Sequence, residues 1–492
     1  MKIRTFANIK SFLLDNKTLE QTIFKNTFWL TVAEGASRFL KLILIIYVAR
    51  ILGATEYGKF NFALASVSLF ATFFDLGLSQ ITTRELSQDK GREKEFSSLL
   101  SLKILLCLGT LILIFIGSFF ITSDPIIRKL IWILGLDAII GGFSWIISAF
   151  FQARQKMEYQ AMTKILEAIL ITAVGFFVIF YFPSVINLSY SYLFAGLTAL
   201  IFILIFFHFK VFPLKISWQK SIWQRFLSLS WPLALVGISG GIYGQIDSVM
   251  MGHSGQITQT GWYNAAYKII GIILIPAALI PQSFFPALSL AFEESKEKLQ
   301  RIWNYFMDSM IFLAIPIVVG GIALAPRIID SIYGPSYFLS ILVFQILILM
   351  AGISFIASPF GQILIIANQQ KKLCWITLTG AIANVILNLI LIPKYSLYGA
   401  AVTAVFTSVL IFFLFFRFTS KLTSIRPFNL KTRFSFFGAV LASIPMYFVI
   451  THSKIYYLNI FLSVLIGVVI YFSILFVLKL MTKYFKIISI CL

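Results

Sequence analysis

Two stretches of this chain, VARILGATEYGKFNFALAS (48–66) and VMMGHSGQITQTGWYNAAY (249–267), share one pattern. In each stretch a long apolar run ends at a glycine, and the next apolar run begins with Gly, an aromatic residue, Asn and Ala. An apolar run of about 20 residues is the length that an α-helix needs to cross a bilayer. The pattern therefore predicts two equivalent elbows, Gly53 to Gly58 and Gly252 to Gly261, each joining two membrane-spanning helices.

The composition places the whole chain in the membrane. Of its 492 residues, 59% are hydrophobic and 12% are charged, whereas soluble domains carry about 25% charged residues. Because hydrocarbon leaves no backbone polar group a water partner, runs of this length indicate helices. The predicted fold is an all-α polytopic membrane protein with about 14 transmembrane helices. These predicted spans are 26–49, 60–80, 98–121, 130–151, 160–182, 187–208, 226–251, 262–286, 303–324, 338–366, 373–392, 396–416, 434–451 and 456–478.

The net charge of +21 is explained by membrane orientation. With a cytoplasmic N-terminus, 28 of the 40 Lys and Arg residues fall on the cytoplasmic side, seven on the opposite side and five within the spans. Such an excess of basic residues marks cytoplasmic loops, so we expect both termini in the cytoplasm. The charges are spread over many loops instead of forming one basic patch, and we therefore predict no nucleic-acid partner.

The elbows also predict an internal repeat. Gly58 and Asn61 align with Gly261 and Asn264, and a second echo pairs QARQK (152–156) with NQQKK (368–372) after the fourth helix of each half. Six helices per half make the two repeats parallel. The predicted organisation is a cytoplasmic N-terminal segment 1–25, an N-terminal six-helix bundle 26–208, a cytoplasmic linker 209–225, a C-terminal six-helix bundle 226–416, a cytoplasmic linker 417–433, helices 13 and 14 in 434–480 and a cytoplasmic tail 481–492.

Charged residues inside the spans are the candidate functional residues. Glu34, Arg38 and Lys41 share one face of the first span, because they are four and three residues apart. A basic residue at the centre of a span costs roughly 2.5 to 3.5 kcal/mol to insert. One interpretation is a cationic site that lines a cavity and binds substrate; the alternative is a purely structural ion pair.

The other charged residues allow a second set of hypotheses. Lys164 and Glu167 are spaced as an intrahelical pair in the fifth span, with Lys164 a further substrate-binding candidate and Glu167 a candidate for ion coupling or gating. Asp247 and Lys268 lie towards the external side, where they form either a gate or a static pair. Asp75 is a third candidate for ion coupling or gating. Lys103, near a cytoplasmic helix end, is expected to snorkel to the interface.

Several catalytic motifs are missing from the sequence. It contains neither the phosphate loop GxxxxGK[ST] nor the zinc motif HExxH. We therefore predict no catalytic residue, no metal site and no cofactor.

The segments SRFLKLILIIYVARILGATEYGKFNFALA (37–65) and FFDLGLSQITTREL (73–86) resemble the O-antigen and capsule repeat-unit flippases of the multidrug/oligosaccharidyl-lipid/polysaccharide (MOP) exporter superfamily. The shared signature runs from Arg50 to Gly58 and continues with Asp75-Leu-Gly77 and Arg84-Glu85. The resemblance implies two six-helix bundles around a central cavity that opens alternately to the two sides of the bacterial plasma (inner) membrane. It also implies an undecaprenyl-pyrophosphate-linked oligosaccharide as substrate, with a polysaccharide polymerase and a chain-length regulator as further partners.

The resemblance assigns Arg38 to an arginine that related peptidoglycan-precursor flippases also carry in their first helix. Those relatives carry further arginines along the first two helices, whereas positions 42–48 here are apolar; this departure argues against the peptidoglycan precursor. Asn384 and Asn388, on one face of the eleventh span, are candidates for sugar hydroxyls. Two alternatives stay open: a multidrug cation antiporter, which predicts an acid-dominated cavity, and a membrane-embedded polymerase or ligase, which predicts a large external loop.

Overall fold

The computed structural model describes residues 18–210, 216–423, 425–452, 455 and 459–491. Within these ranges all regular secondary structure is helical, and eleven helices are long and apolar enough to cross a membrane. The prediction of an all-helical, multi-pass membrane protein is thereby confirmed. Residues 1–17 of the predicted N-terminal segment, residues 211–215 of the first linker and Lys454 lie outside the described residues.

The helices divide into two compact units, Met1–Thr258 and Gln259–Leu492. The first unit holds α1 (Leu19–Ala71), α2 (Leu78–Gln88), α3 (Phe96–Ile121), α4 (Pro125–Ala153), α5 (Met157–Tyr181), α6 (Val185–Lys210) and α7 (Lys220–His253). The second unit holds nearly all of α8 (Ile257–Ile273), then α9 (Ile275–Glu294), α10 (Lys296–Tyr333), α11 (Ser340–Ile366), α12 (Gln370–Leu422), α13 (Leu430–Thr451) and α14 (Ile460–Cys491). By its contacts helix α7 groups with the first unit, and the division into two six-helix bundles stays a prediction.

Two helices each contain two predicted spans joined at one residue. In α1 the junction is Gly53 (φ 76°, ψ 172°), and in α12 it is Ser396 (φ 53°, ψ −132°). Glycine adopts this positive φ without the steric penalty that a Cβ atom imposes. The predicted elbow of six residues is therefore a single-residue kink, and Gly58 is buried inside the helix that follows.

Two other predicted spans are interrupted. The predicted span 60–80 ends as an α-helix at Ala71, and the chain passes through a short 3-10 turn, Thr72–Phe74, and two residues of positive φ, Leu76 and Gly77, before α2 begins. The predicted span 262–286 breaks at Leu274, where Pro276 lies in the first turn of α9 and lacks the N–H needed to continue the helix. The number of membrane crossings and the side of each terminus remain predictions.

The repeat is visible in local hydrogen bonds at both elbows. Asn61 Nδ2 donates to the carbonyl oxygen of Tyr57 at 2.8 Å, and Asn264 Nδ2 donates to that of Thr260 at 2.9 Å. Both asparagines are buried and bond to their own helix four residues back. The two asparagines therefore make matching contacts in the helices that follow the two elbows.

The second pair of similar segments, QARQK and NQQKK, lies in the predicted turns. The structurally equivalent residues are shifted by three positions from the sequence alignment. The amides of residues 154, 155 and 156 donate to the carbonyls of residues 150, 152 and 151, and those of residues 367, 368 and 369 donate to 363, 365 and 364. Gln155 (φ 57°) and Asn368 (φ 55°) occupy the left-handed position in the two turns. Because both helix ends have this hydrogen-bond pattern, Gln155 is structurally equivalent to Asn368.

Each unit also fixes a linker against the first turns of a long helix. In the first unit, Trp223 Nε1 donates to Ser98 O at 2.9 Å and Ser101 Oγ donates to Ser217 O at 2.6 Å. In the second unit, Trp303 Nε1 donates to Pro427 O at 3.4 Å, and Arg426 N donates to Gln300 Oε1 at 2.7 Å. The linkers that precede α7 and α13 are therefore held at the N-terminal ends of α3 and α10.

Candidate functional site

Five charged side chains of α1 and α5 meet in the first unit. Along α1, Arg38 Nε donates to Glu34 Oε1 at 2.6 Å. The second carboxylate oxygen of Glu34 accepts a hydrogen bond from Lys164 Nζ of α5. Further along the same pair of helices, Lys41 Nζ donates to Glu167 Oε1 at 2.9 Å. We call these five residues the charge cluster.

Helix geometry places the cluster along one seam. Spacings of four and three residues put Glu34, Arg38 and Lys41 on one face of α1, and Lys164 and Glu167 are likewise one turn apart on α5. The helices approach closely beside the cluster, because a Cβ atom on Gly175 would lie 2.6 Å from Leu44 Cδ2. A residue without a side chain at this position lets α1 and α5 pack closely there.

All five side chains are partly accessible, from 31% for Lys41 to 55% for Arg38. Exposure to lipid hydrocarbon would leave these charges without solvation, at a cost of several kcal/mol. Charged residues in spanning helices therefore face a water-filled space or one another. The ion pairs of the cluster join neighbouring residues and still leave part of each side chain accessible.

The cluster has an excess of positive charge, with three bases against two carboxylates. Glu34 is shared by Arg38 and Lys164, so one carboxylate partly neutralises two cations. A phosphate group, with several strong acceptor oxygens, is a suitable competitor for that position, because arginine binds phosphate through two parallel hydrogen bonds. The arrangement can therefore bind an anion by exchanging partners.

Asp137 of α4 extends the site beyond the predicted residues. It interacts electrostatically with Glu167 and Lys41. A Cβ atom on Gly196 of α6 would lie 2.5 Å from Asp137 Oδ1, so the carboxylate occupies space that only glycine leaves open. Its sequence signal is a single carboxylate in the middle of an apolar helix.

The predicted pair of Lys164 with Glu167 is wrong. Lys164 bonds to Glu34 and Glu167 bonds to Lys41, so both residues use partners on α1. The predicted pair of Glu34 with Arg38 is present. Five of the eight predicted site residues therefore lie together in the structure. Lys164 and Glu167, which were predicted to pair within one helix, instead contact residues of another helix.

Asp75 lies apart from the cluster in a buried ion pair. Lys103 Nζ donates to Asp75 Oδ1 at 2.7 Å and lies 5.0 Å from the centroid of the Phe74 ring. Ser79 Oγ donates to the same carboxylate oxygen at 2.5 Å. The side chain of Lys103 is fully buried, so the prediction that it snorkels to the interface is wrong. The pair lies at the break between α1 and α2.

The remaining candidates are distributed over both units. Asp247 is buried in α7 of the first unit, and Lys268 is half-buried in α8 of the second unit, so their predicted pairing remains a prediction. Asn384 and Asn388 are buried in α12, where Asn388 Nδ2 donates to Asn384 Oδ1 at 3.0 Å. Neither side chain is accessible in this structure, and their role towards sugar hydroxyls stays a prediction.

A multi-pass helical fold with a partly open charge cluster inside its spans is typical of membrane transporters. Residues 23–292 match the family model described as "Polysaccharide biosynthesis protein". The chain belongs to this family, and the resemblance to polysaccharide repeat-unit flippases is confirmed. A relative named "Putative O-antigen transporter" from Escherichia coli (strain K12) is 20% identical over 407 residues, which cover 80% of this chain and 96% of the relative.

Solved structures share the fold at low sequence identity. A structure titled "Lipid II flippase MurJ, inward closed conformation" superposes with a TM-score of 0.75 and 17% identity, covering 90% of this chain and 97% of the other. An inward-facing multidrug resistance MATE family transporter of the MOP superfamily superposes with a TM-score of 0.64 and 16% identity, covering 78% and 95%. The chain therefore shares its fold with both of these proteins.

Proposed function

We propose that this protein moves undecaprenyl-pyrophosphate-linked oligosaccharide repeat units from the inner to the outer leaflet of the bacterial inner membrane. The translocated repeat units are then used to synthesise a surface polysaccharide such as O-antigen, capsule or exopolysaccharide. The observation that carries the proposal is the partly exposed charge cluster of α1 and α5, with its three cations and two carboxylates. Membership of the polysaccharide biosynthesis family supports the substrate class.

The chemistry of the substrate fits the cluster. Its pyrophosphate and sugars cannot cross hydrocarbon unaided, whereas its polyprenyl chain can stay in lipid. In the proposed cycle the pyrophosphate displaces Glu34 from Arg38 and Lys164, and Glu34 reclaims both cations when the substrate leaves. No covalent bond changes in this cycle, so the proposed activity is transport and not catalysis.

Energy coupling and topology complete the proposal. Fourteen spans with both termini in the cytoplasm orient the chain, and alternating access moves the substrate. A proton or sodium gradient, or the membrane potential, drives the cycle, with Asp75, Asp247 and Glu167 as candidate coupling or gating residues and Lys268 as a further substrate-binding cation. A polysaccharide polymerase and a chain-length regulator are the proposed downstream partners.

A flipping assay tests the proposal directly. The purified protein is reconstituted into vesicles that contain a short fluorescent undecaprenyl-pyrophosphate oligosaccharide, and a membrane-impermeant reagent reports the fraction in the outer leaflet. We expect exchange between leaflets that depends on the protein and accelerates with an imposed gradient. Vesicles with Arg38→Ala protein serve as the control, and equal exchange in vesicles without protein would overturn the proposal.

The multidrug antiporter is the main alternative because the fold is shared with that class. Selection of a cationic drug requires an excess of carboxylates, whereas the charge cluster has an excess of bases. Inclusion of Asp137 makes the charges even and does not create an acidic site. Transport of ethidium in the same vesicles, with no movement of the lipid-linked sugar, would favour the antiporter.

A further inference from the structure

Two neighbouring cavities in the second unit have contrasting linings. One is a cleft of about 530 Å³ that is lined by Lys296, Glu297, Gln300, Arg301, Asn304 and Arg426. The other is an apolar pocket of about 510 Å³ that is lined by Ile311, Ile353, Ile356, Phe412, Phe428, Thr432, Arg433, Phe436 and Phe437. The first is rich in basic and polar groups, and the second is apolar except for Thr432 and Arg433.

The two cavities lie along one face of α10. Asn304 lines the basic cleft and Ile311 lines the apolar pocket. These residues are two helical turns apart and share a face, so they are about 10 Å apart along the helix axis. The chain from Arg426 to Arg433 borders both cavities. A polar site and an apolar site at this separation match the head and the hydrocarbon chain of one lipid molecule.

The wall between the cavities is built from fixed side chains. Phe428 packs against Phe412 and Phe416, with ring centroids 6.4 Å and 5.9 Å apart. Gln300 Nε2 donates to Arg426 O at 3.2 Å, and Asn429 Nδ2 donates to Asn304 Oδ1 at 2.7 Å. These contacts hold the segment in place, so the cavities are formed before any ligand arrives.

Arg433 offers the charge that an anionic ligand needs. Its Nε donates to Phe428 O at 3.1 Å, which fixes the guanidinium at the pocket wall. Among the residues that the structure describes, its two terminal amino groups make no ion pair with a carboxylate. Lys296, Arg301 and Arg426 add three further cations against the single carboxylate of Glu297. Basic pockets beside spanning helices bind anionic lipid head groups.

We propose that the second unit binds an anionic glycerophospholipid, with an acyl chain in the apolar pocket and its phosphate on Arg433 and the basic cleft. The site consists only of residues from α10 to α13 and includes no member of the charge cluster. It therefore does not rest on the proposed transport activity. The basic loops that surround it are the loops for which we predict the cytoplasmic side, so the lipid comes from that leaflet.

Binding of phosphatidylglycerol to the full-length protein in detergent tests the site, with phosphatidylcholine as the uncharged comparison. We expect tighter binding of phosphatidylglycerol to the wild type and a loss of about fivefold in Arg433→Gln, because one basic side chain near a membrane surface contributes about that factor. Ile356→Trp fills the apolar pocket and should abolish binding. Arg417→Gln removes a cation from an exposed position of α12 outside both cavities and should bind as the wild type does.

Thermal unfolding in lipid-free detergent identifies any variant that fails to fold, and Ile353→Phe then replaces Ile356→Trp as the smaller pocket-filling change. Equal affinity for the two lipids, or wild-type affinity in both Arg433→Gln and the pocket-filling variant, would overturn the proposal. Displacement of labelled phosphatidylglycerol by lipid-linked oligosaccharide at lower concentration than by unlabelled phosphatidylglycerol would assign the site to the transported substrate instead. Activity of the Arg38→Ala protein has no bearing on these outcomes.

Discussion

Lys41 Nζ lies 2.9 Å from Glu167 Oε1, although the two residues are 126 positions apart in the chain. The contact joins the first spanning helix of the unit to its fifth helix, α5, within the apolar part of both helices. Together with the bond from Lys164 to Glu34, it makes two crosslinks between the same helices. The charge cluster is thus held by α1 and α5 jointly, and neither helix forms it alone.

Exchange of the charges at Lys41 and Glu167 tests this relationship. We expect Lys41→Glu to lose most transport, because it places a second carboxylate beside Glu167 and reverses the local excess of positive charge. The double variant Lys41→Glu with Glu167→Lys restores the pair and should recover part of the activity in the vesicle assay. No recovery in a well-folded double variant would mean that the position of the cation, and not the pair, matters.

Removal of the most exposed cation of the cluster should stop transport. Arg38→Ala is expected to reduce surface polysaccharide to below about a tenth of the wild-type amount, because a charged hydrogen bond to phosphate contributes about 1.5 to 3 kcal/mol. Arg38→Lys keeps the positive charge but lacks the planar guanidinium group that forms two parallel hydrogen bonds, so it should retain part of the activity. Immunoblots of the membrane fraction control for expression, and Lys59→Ala, elsewhere on α1, is the matched variant. Normal polymer from Arg38→Ala would contradict the assignment.

The pair of Asp75 with Lys103 predicts a stability effect. Lys103→Met leaves a buried carboxylate without its cation, which costs about 3 to 5 kcal/mol, and should lower the thermal midpoint in detergent by roughly 5 to 15 °C. The double variant Asp75→Asn with Lys103→Met removes both charges and should regain most of that loss. If the double variant is stable yet its transport no longer responds to a gradient, Asp75 takes part in coupling and is not solely structural.

Glycine at position 77 should be indispensable for the break between α1 and α2. Its φ is 75°, and an added Cβ would lie 2.6 Å from Leu233 Cβ of α7. Gly77→Ala combines backbone strain with a clash, so we expect a destabilisation of about 1 to 3 kcal/mol. Gly240→Ala is the control, because an added Cβ there meets no atom within 4 Å. Equal thermal midpoints for the two variants would show that α7 shifts to accommodate the side chain.

The fold class was predictable because bilayer thickness acts on every span independently. Long apolar runs identified the helices, and the i, i+4 spacing identified the pair of Glu34 with Arg38. The partners of Lys164 and Glu167 were not predictable in the same way. Their spacing satisfied an intrahelical pair, and their partners on α1 depend on how two helices far apart in the sequence pack together, which periodicity does not encode.

The sequence indicated where the helices are interrupted, but it did not give the correct geometry of these interruptions. The glycines near residues 53 and 255 marked both elbows, yet the sequence does not show that the first bends at one residue. Lys103 was misassigned because its distance from the end of its helix said nothing about Asp75, which a break in the chain places beside it. The helix ends at Gln155 and Asn368 have the same hydrogen bonds. The similar residues around them indicated these ends in the sequence, whereas Gln155 and Asn368 are themselves of different types.

The crosslinks between α1 and α5 have a consequence for biogenesis. A ribosome adds about 5 to 20 residues per second, so Glu167 emerges roughly 6 to 25 seconds after Lys41, from which it is 126 residues distant. During that interval Lys41 enters the membrane before its partner exists. Because an unpaired lysine within a span is costly in hydrocarbon, slowing translation between these helices should lower the yield of inserted protein.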